Sequence, residues 1–205
     1  NIEFAKKPCE RLVAHARVGK GERVLDVACG TGWATLDAAL AVGQTGRVVG
    51  IDISPDMLAL AQQRVTALGL DNLTLRDGSA ESIPVDDGTF DVVLACLSMM
   101  YVIDRESAAR EIARALRPGG RFVASVWAGP EECDIVLFQQ TAGRFAGPPP
   151  VPGVGPGSLA DASTFLRQLD AAGIQARVET QVLGFDFGNF ASAWDALASV
   201  TTAHL

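Results

Sequence analysis

The feature that most constrains this chain is an alternation that runs to about residue 128. Short apolar runs rich in Val and Ile lie at Arg23–Ala28, Arg47–Ile53, Leu73–Arg76, Phe90–Leu97 and Arg121–Trp127. Each is strand-sized and nearly continuous, the pattern of strands buried on both faces. Longer Ala-rich amphipathic stretches separate them, at Ala34–Ala41, Pro55–Leu68 and Arg105–Leu116. Leu58, Ala61, Val65 and Leu68 share one helical face. Ser54 before Pro55 reads as an N-cap with Pro at the first helical position. Gly69 and Gly119 stand where a helix should stop. Strand–helix repetition of this kind predicts an α/β doubly wound, mostly parallel sheet covered by helices. Ligands of such sheets bind outside the carboxyl ends of the strands, so chemistry is expected after Ala28, Ile53, Arg76, Leu97 and Trp127.

Beyond residue 128 the pattern changes. Ala146–Ser158 is dense in Pro and Gly and reads as a loop, either a connector or a lid. A helix is predicted over Ala160–Ala172, a strand over Gln175–Leu183 and a further helix over Ser192–Thr202. The chain therefore reads as one domain over 1–205, with a ligand-binding core at about 20–128 and a substrate-side or lid region at about 129–205.

Composition narrows the function. Hydrophobic residues make up 48% and charged residues 20%, enough apolar side chain for a core and too much for a disordered chain. No apolar run is long enough for a membrane span. A net charge of −7 without a basic run disfavours nucleic acid as a partner, because that affinity rests on Lys and Arg neutralising phosphates. Cys9, Cys29, Cys96 and Cys133 form no C-x-x-C pair, and only His15 and His204 accompany them. No metal site and no disulfide framework is expected. Lys6, Lys7 and Pro8 stand where a secretory signal would be apolar, and reduced thiols in a cytoplasmic protein are the plain expectation.

The sharpest local motif is Val24-Leu25-Asp26-Val27-Ala28-Cys29-Gly30-Thr31-Gly32, a strand running into a glycine turn that opens a helix. Such a turn lets a ligand approach the main chain and meet the first free N–H groups of the helix. The next strand ends in Asp52, 20 residues after Gly32, the spacing at which a carboxylate meets ribose hydroxyls. A dinucleotide loop would want a third glycine, and Thr35 stands there instead. Asp26 is superfluous for a pyrophosphate but suits a ligand that carries an ammonium group.

Val24–Gly32 resembles the first motif of the class I S-adenosylmethionine-dependent methyltransferases. The family's other motifs follow in order: Ile51-Asp52-Ile53-Ser54, Gly78–Pro84, Phe90–Cys96 and Leu116–Arg121. The nearest likeness is to the ubiquinone- and menaquinone-biosynthesis-like branch, which acts on small molecules. The resemblance implies that backbone at Ala28, Cys29, Gly30 and Gly32 cradles the methionine part of S-adenosylmethionine. It implies that Asp26 holds the amino group, that Asp52 accepts both ribose hydroxyls, and that Ile53 and Met57 pack on the adenine. Gly78, Ser79, Ala80 and Ala95 complete the implied set. Ser79 departs from the Asp usual in this branch; Asp77 is a substitute partner for the adenine amino group. The implied reaction moves a methyl group to a small-molecule acceptor, C or O nucleophiles favoured, leaving S-adenosylhomocysteine. The alternatives are an RNA or protein methyltransferase and a non-catalytic S-adenosylmethionine-binding protein; no Asn-Pro-Pro-Tyr motif appears at Ala95-Cys96-Leu97-Ser98.

Tyr101 is the one weak catalytic candidate; Asp104 reads as a helix cap and Glu81 as a loop or capping carboxylate. Met99 and Met100 read as packing, as do Trp33 and Trp127, while Cys29 and Cys96 read as two small residues beside the cofactor. The family fold also expects a last antiparallel strand. Past Asn189 only a helical pattern runs to Leu205, so that strand is expected outside these 205 residues. Oligomeric state is not legible.

Overall fold

The computed structural model describes residues 5–145 and 151–202. Helix α1 (Lys6–His15) precedes strand β1 (Arg23–Val27). Helix α2 (Trp33–Val42), strand β2 (Arg47–Asp52), helix α3 (Pro55–Leu68), strand β3 (Leu73–Asp77) and strand β4 (Phe90–Cys96) follow. A short 3-10 turn at Met99–Tyr101 leads to helix α4 (Arg105–Ala115) and strand β5 (Leu116–Ser125). Helices α5 (Asp134–Gly143), α6 (Ala162–Ala171) and α7 (Phe190–Thr202) complete the chain.

The five strands form one parallel sheet in the order β3-β2-β1-β4-β5. The order reverses at β1, so β1 and β4 flank the crevice where such sheets bind ligands. The two sheet faces sort the side chains. Val24, Val92 and Leu94 pack with Cys9, Leu12 and Val13 of α1 and Ala34, Ala38 and Val42 of α2. Leu25, Val27, Val93 and Ala95 pack on the other face with Ala108 and Ile112 of α4 and Phe165 and Leu169 of α6. Burial on both faces is what made these runs continuous in the sequence.

The helix ends follow the expected chemistry. The Ser54 hydroxyl accepts the Met57 N–H at 3.4 Å, and Gly69 closes α3 with a positive φ of 61°. The Asp104 carboxylate accepts the Ser107 N–H at 3.0 Å, opening α4. The Glu81 carboxylate accepts the Asp104 N–H at 2.9 Å and ties the loop after β3 to that helix.

Two expectations are corrected. The segment Leu116–Gly120 is not a turn before the fifth strand. Leu116 already pairs with Phe90, and the register then shifts across a bulge so that Val92 meets Arg121. Gly119 therefore lies inside β5 and does not stop a helix, and Trp127 falls beyond the strand's end. The strand expected over Gln175–Leu183 is absent: residues 174–187 carry no secondary structure, and Val178 and Val182 are exposed. A strand forms only where a neighbour takes its N–H and C=O groups, and among the described residues this segment pairs with no other. It is held instead through Lys7, whose ammonium donates to the Gly184 carbonyl at 2.5 Å and lies 5.5 Å from the centre of the Phe185 ring. Within the Pro/Gly stretch, residues 146–150 lie outside the described residues.

Candidate functional site

The glycine turn leaves β1 through an uncommon backbone. Ala28, Gly30 and Gly32 all have positive φ, at 54°, 55° and 86°. A side chain on Gly32 would meet the Ala61 Cβ of α3 at 3.0 Å, so both dihedral and space demand glycine there. At Gly30 a Cβ would meet nothing within 4 Å. The main chain is thus bare and open at Gly30 and tightly packed at Gly32. No side chain caps the first turn of α2, which starts directly from Gly32.

Asp52 closes the turn from the neighbouring strand. One carboxylate oxygen accepts the Gly30 N–H at 2.7 Å and the other accepts the Ser54 N–H at 2.9 Å. The residue is 7% exposed, so its carboxylate is held at one place. Each oxygen has a second lone pair, so both remain able to accept a hydroxyl. Gly78 and Asp77 adjoin it: the Gly78 N–H reaches the Asp52 carbonyl at 3.2 Å, and Asp77 is the register partner of Asp52 at the end of β3.

Asp26 is a buried carboxylate in β1. It is 1% exposed and sits on the sheet face that α2 covers. One carboxylate oxygen accepts the Thr35 hydroxyl at 2.6 Å. The other, Oδ1, is buried with no hydrogen-bond partner. Loss of hydration, chiefly, pushes the carboxyl up to about 7; the Thr35 bond works against that shift and the nearby Asp52 adds to it. A buried acceptor without a donor is costly unless a ligand supplies one.

Ile53 and Met57 stand exposed beside these carboxylates, Ile53 at 70%. An apolar side chain left that open at the carboxyl end of β2 is not core, and it offers a flat ligand a surface to pack on. Ser79 turns the loop after β3, where its hydroxyl accepts the Glu81 N–H at 3.1 Å. Ala80 is buried in the core. Ala95 is fully buried within β4 opposite Ala124. Cys29 is half-buried in the turn, its N–H on the Ile51 carbonyl at 2.8 Å. Met99 and Met100 are fully buried, as packing residues should be. Tyr101 follows them at the carboxyl end of the sheet, and burial holds its phenol above the ordinary range.

Three residues that the sequence does not single out shape this end of the sheet. Thr35, in the first turn of α2, is the donor to Asp26. Arg64 of α3 donates to the Thr31 carbonyl at 3.0 Å and to its hydroxyl at 3.1 Å, and its guanidinium lies 4.0 Å from the centre of the Trp33 ring. Trp33 is therefore a stacking partner for a cation that braces the turn. Arg105 donates to the carbonyls of Met99, Met100 and Gly153 and to the Ser158 hydroxyl, all at 3.0–3.1 Å. It fastens the described half of the Pro/Gly stretch over the loop after β4. The separate groove of about 410 Å³ lined by Arg23, Arg76, Asp86 and Phe90 shares no residue with the glycine turn. Among the described residues, no group of three or more His, Cys, Asp or Glu is placed to hold a metal.

A family model described as a methyltransferase domain matches residues 19–141, more than half of the chain. The chain belongs to the methyltransferase-domain family. Relatives of this methyltransferase domain include the demethylmenaquinone methyltransferase of Shouchella clausii, 41% identical over 123 residues, covering 60% of this chain and 51% of that protein. The enzyme of the same name from Bacillus cytotoxicus is 40% identical over 106 residues, covering 52% of this chain and 45% of that protein. The chain thus spans about half the length of the curated relatives it matches. Among solved structures, a SAM-dependent methyltransferase from Aquifex aeolicus shares the fold, with a TM-score of 0.65 at 23% identity over 83% of this chain and 81% of that one. The match runs past β5 into α5, so the methyltransferase domain includes the first helix after the sheet.

Proposed function

We propose that this methyltransferase domain binds S-adenosylmethionine at the glycine turn and transfers its methyl group to a small-molecule acceptor. The observation that carries the reading is the orphaned, buried Oδ1 of Asp26, on the strand that runs into a backbone open at Gly30. An ammonium group is the donor that this oxygen lacks, and the amino group of the cofactor's methionine part supplies one. Backbone at Ala28, Cys29, Gly30 and Gly32 lines its path, and Asp52, already oriented by two N–H groups, accepts the ribose hydroxyls. Ile53 and Met57 cover the adenine; Gly78, Ser79 and Ala80 border its edge, with Asp77 as the substitute partner for its amino group. When bound, the cofactor supplies a methyl group activated on a sulfonium sulfur.

The chain's own contribution is position and exclusion of water. Arg105 draws residues 153–158 against the loop after β4, which walls the end of the sheet on the acceptor side. Tyr101 keeps its proton and serves as wall or hydrogen-bond donor rather than base. An acceptor that ionises by itself needs no base, which favours a carbon or oxygen atom of a phenol- or enol-like ring. The relatives named as demethylmenaquinone methyltransferases support that class. The reading includes no nucleic-acid partner and places the protein in the cytoplasm. Among the described residues no helix is long and apolar enough to cross a membrane.

The test is consumption of methyl-labelled S-adenosylmethionine against a panel of small acceptors, hydroquinones and phenols included. Label transferred to a ring carbon or oxygen supports the reading. Transfer only to RNA or protein, or tight binding with no transfer to any acceptor, contradicts it.

A further inference from the structure

The Sγ atoms of Cys9 and Cys96, 87 residues apart in the chain, lie 2.9 Å from each other. Cys9 is on the buried face of α1 and is 6% exposed; Cys96 ends β4 and is half-buried, with the Ser125 hydroxyl 3.6 Å from its sulfur. The Cys9 thiol donates to Cys96, and that bond, followed by burial, pushes Cys9 up and keeps its proton on. Cys29, the other thiol at the strand tips, is directed instead at the Gly30 carbonyl, at 3.9 Å. β1 and β4 are neighbours, but the thiol that reaches Cys96 is that of Cys9, because α1 packs across β4.

We propose that Cys9 and Cys96 form a redox-modifiable pair, which a low-molecular-weight disulfide converts to an intramolecular disulfide tying α1 to β4. A closing movement of about 0.9 Å brings the sulfurs to bonding distance. Cys96, the more accessible thiol, reacts first. As its thiolate it attacks one sulfur of the reagent, whose S–S bond breaks, and the departing thiolate takes up the proton that Cys96 lost. The Cys9 sulfur then attacks Cys96 Sγ, the mixed disulfide breaks, and the second reagent thiolate leaves with the proton from Cys9. Two protein thiols are oxidised and one reagent disulfide is reduced to two thiols. Pairs of this kind in reducing surroundings serve as transient sensors rather than as structural staples.

The bond would act on the border of the glycine turn. Helix α1 carries Lys6, 5.4 Å from the centre of the Trp33 ring, and Lys7, which holds residue 184. Fixing α1 to β4 stiffens the helix that flanks the first residue of α2.

The experiment treats the native protein with oxidised glutathione, blocks remaining thiols by alkylation, and maps peptides without reduction. The expected product has lost two hydrogen atoms, links Cys9 to Cys96, retains no glutathione and carries alkyl groups on Cys29 and Cys133. Dithiothreitol reverses it, Cys9→Ser stops at a mixed disulfide on Cys96, and amide exchange over residues 6–15 slows in the oxidised protein. Glutathione retained on Cys96 of the wild-type protein, a link to Cys29 or Cys133, or four alkylated cysteines after treatment would each overturn the proposal. The wild-type map decides this even if Cys9→Ser does not fold. The outcome is independent of whether the protein transfers methyl groups.

Discussion

Asp26 and Asp52 stand on neighbouring strands but are held in different states. Asp52 has both oxygens on backbone N–H groups, whereas Asp26 has one oxygen on Thr35 and one on nothing. Because the Asp26 carboxyl is pushed up to about 7, it is largely protonated at pH 6 and largely ionised at pH 8. A bound ammonium favours the ionised form, so affinity for S-adenosylhomocysteine should rise with pH across that window. We expect Kd at pH 6 to be roughly fivefold to tenfold weaker than at pH 7.5, a dependence that Asp26→Asn removes. Calorimetry at the two pH values checks it. The same group also links folding to pH. Its folded value lies above the unfolded one, about 3.9, so the folded state binds more protons between the two and stability falls as pH rises from about 4 to about 7. Carboxylates held low, such as Glu22 and Asp91, act the other way, so the urea midpoint of the ligand-free wild type should fall over that range relative to that of Asp26→Asn. At Tyr101 the expectation is a small effect. Tyr101→Phe should cost less than about tenfold in turnover, below the ~10²–10⁴-fold of a lost base. A hundredfold loss in steady-state kcat with unchanged cofactor affinity would make Tyr101 catalytic.

The turn between β1 and α2 depends on α3, which supplies both Ala61 against Gly32 and Arg64 on Thr31. Arg64→Ala removes two hydrogen bonds from a half-buried guanidinium and should weaken S-adenosylhomocysteine binding roughly threefold to tenfold. Arg64→Lys, which cannot span both acceptors, should recover only part, as dissociation constants would show. On the acceptor side, Arg105→Ala removes the fastening of residues 153–158, and limited proteolysis within 151–160 should speed up. The sequence shows these elements unevenly. β1, β2 and β4 are legible because burial on both faces leaves continuous Val and Ile runs, and the N-caps at Ser54 and Asp104 are legible because capping is local. Arg64, Thr35 and Arg105 are not, since each acts on a residue that only tertiary packing brings near. The segment 175–183 misleads for the same reason: its apolar residues suit a strand, but a strand also needs a partner. The joining of Leu116–Gly120 to β5 rests on a bulge that no local pattern announces.

At the scale of the whole molecule, the sheet reverses its order at β1 and delivers the glycine turn, Asp26, Asp52 and the loop after β4 to one end. The motif order in the sequence points to the same end. The net charge of −7 gives no overall attraction for a polyanion, in line with the small-molecule acceptor proposed above. Filter binding at moderate salt should retain neither tRNA nor duplex DNA, whereas tight, salt-sensitive retention would refute a small-molecule role. The most direct test of the account is a calorimetric titration of S-adenosylhomocysteine into the wild-type protein and Asp52→Ala, without added metal. The account predicts one site in the wild type and an affinity about tenfold to a hundredfold lower in the variant, the loss expected for charge-assisted hydrogen bonds. No binding by the wild type, or equal affinity in the two proteins, would contradict it.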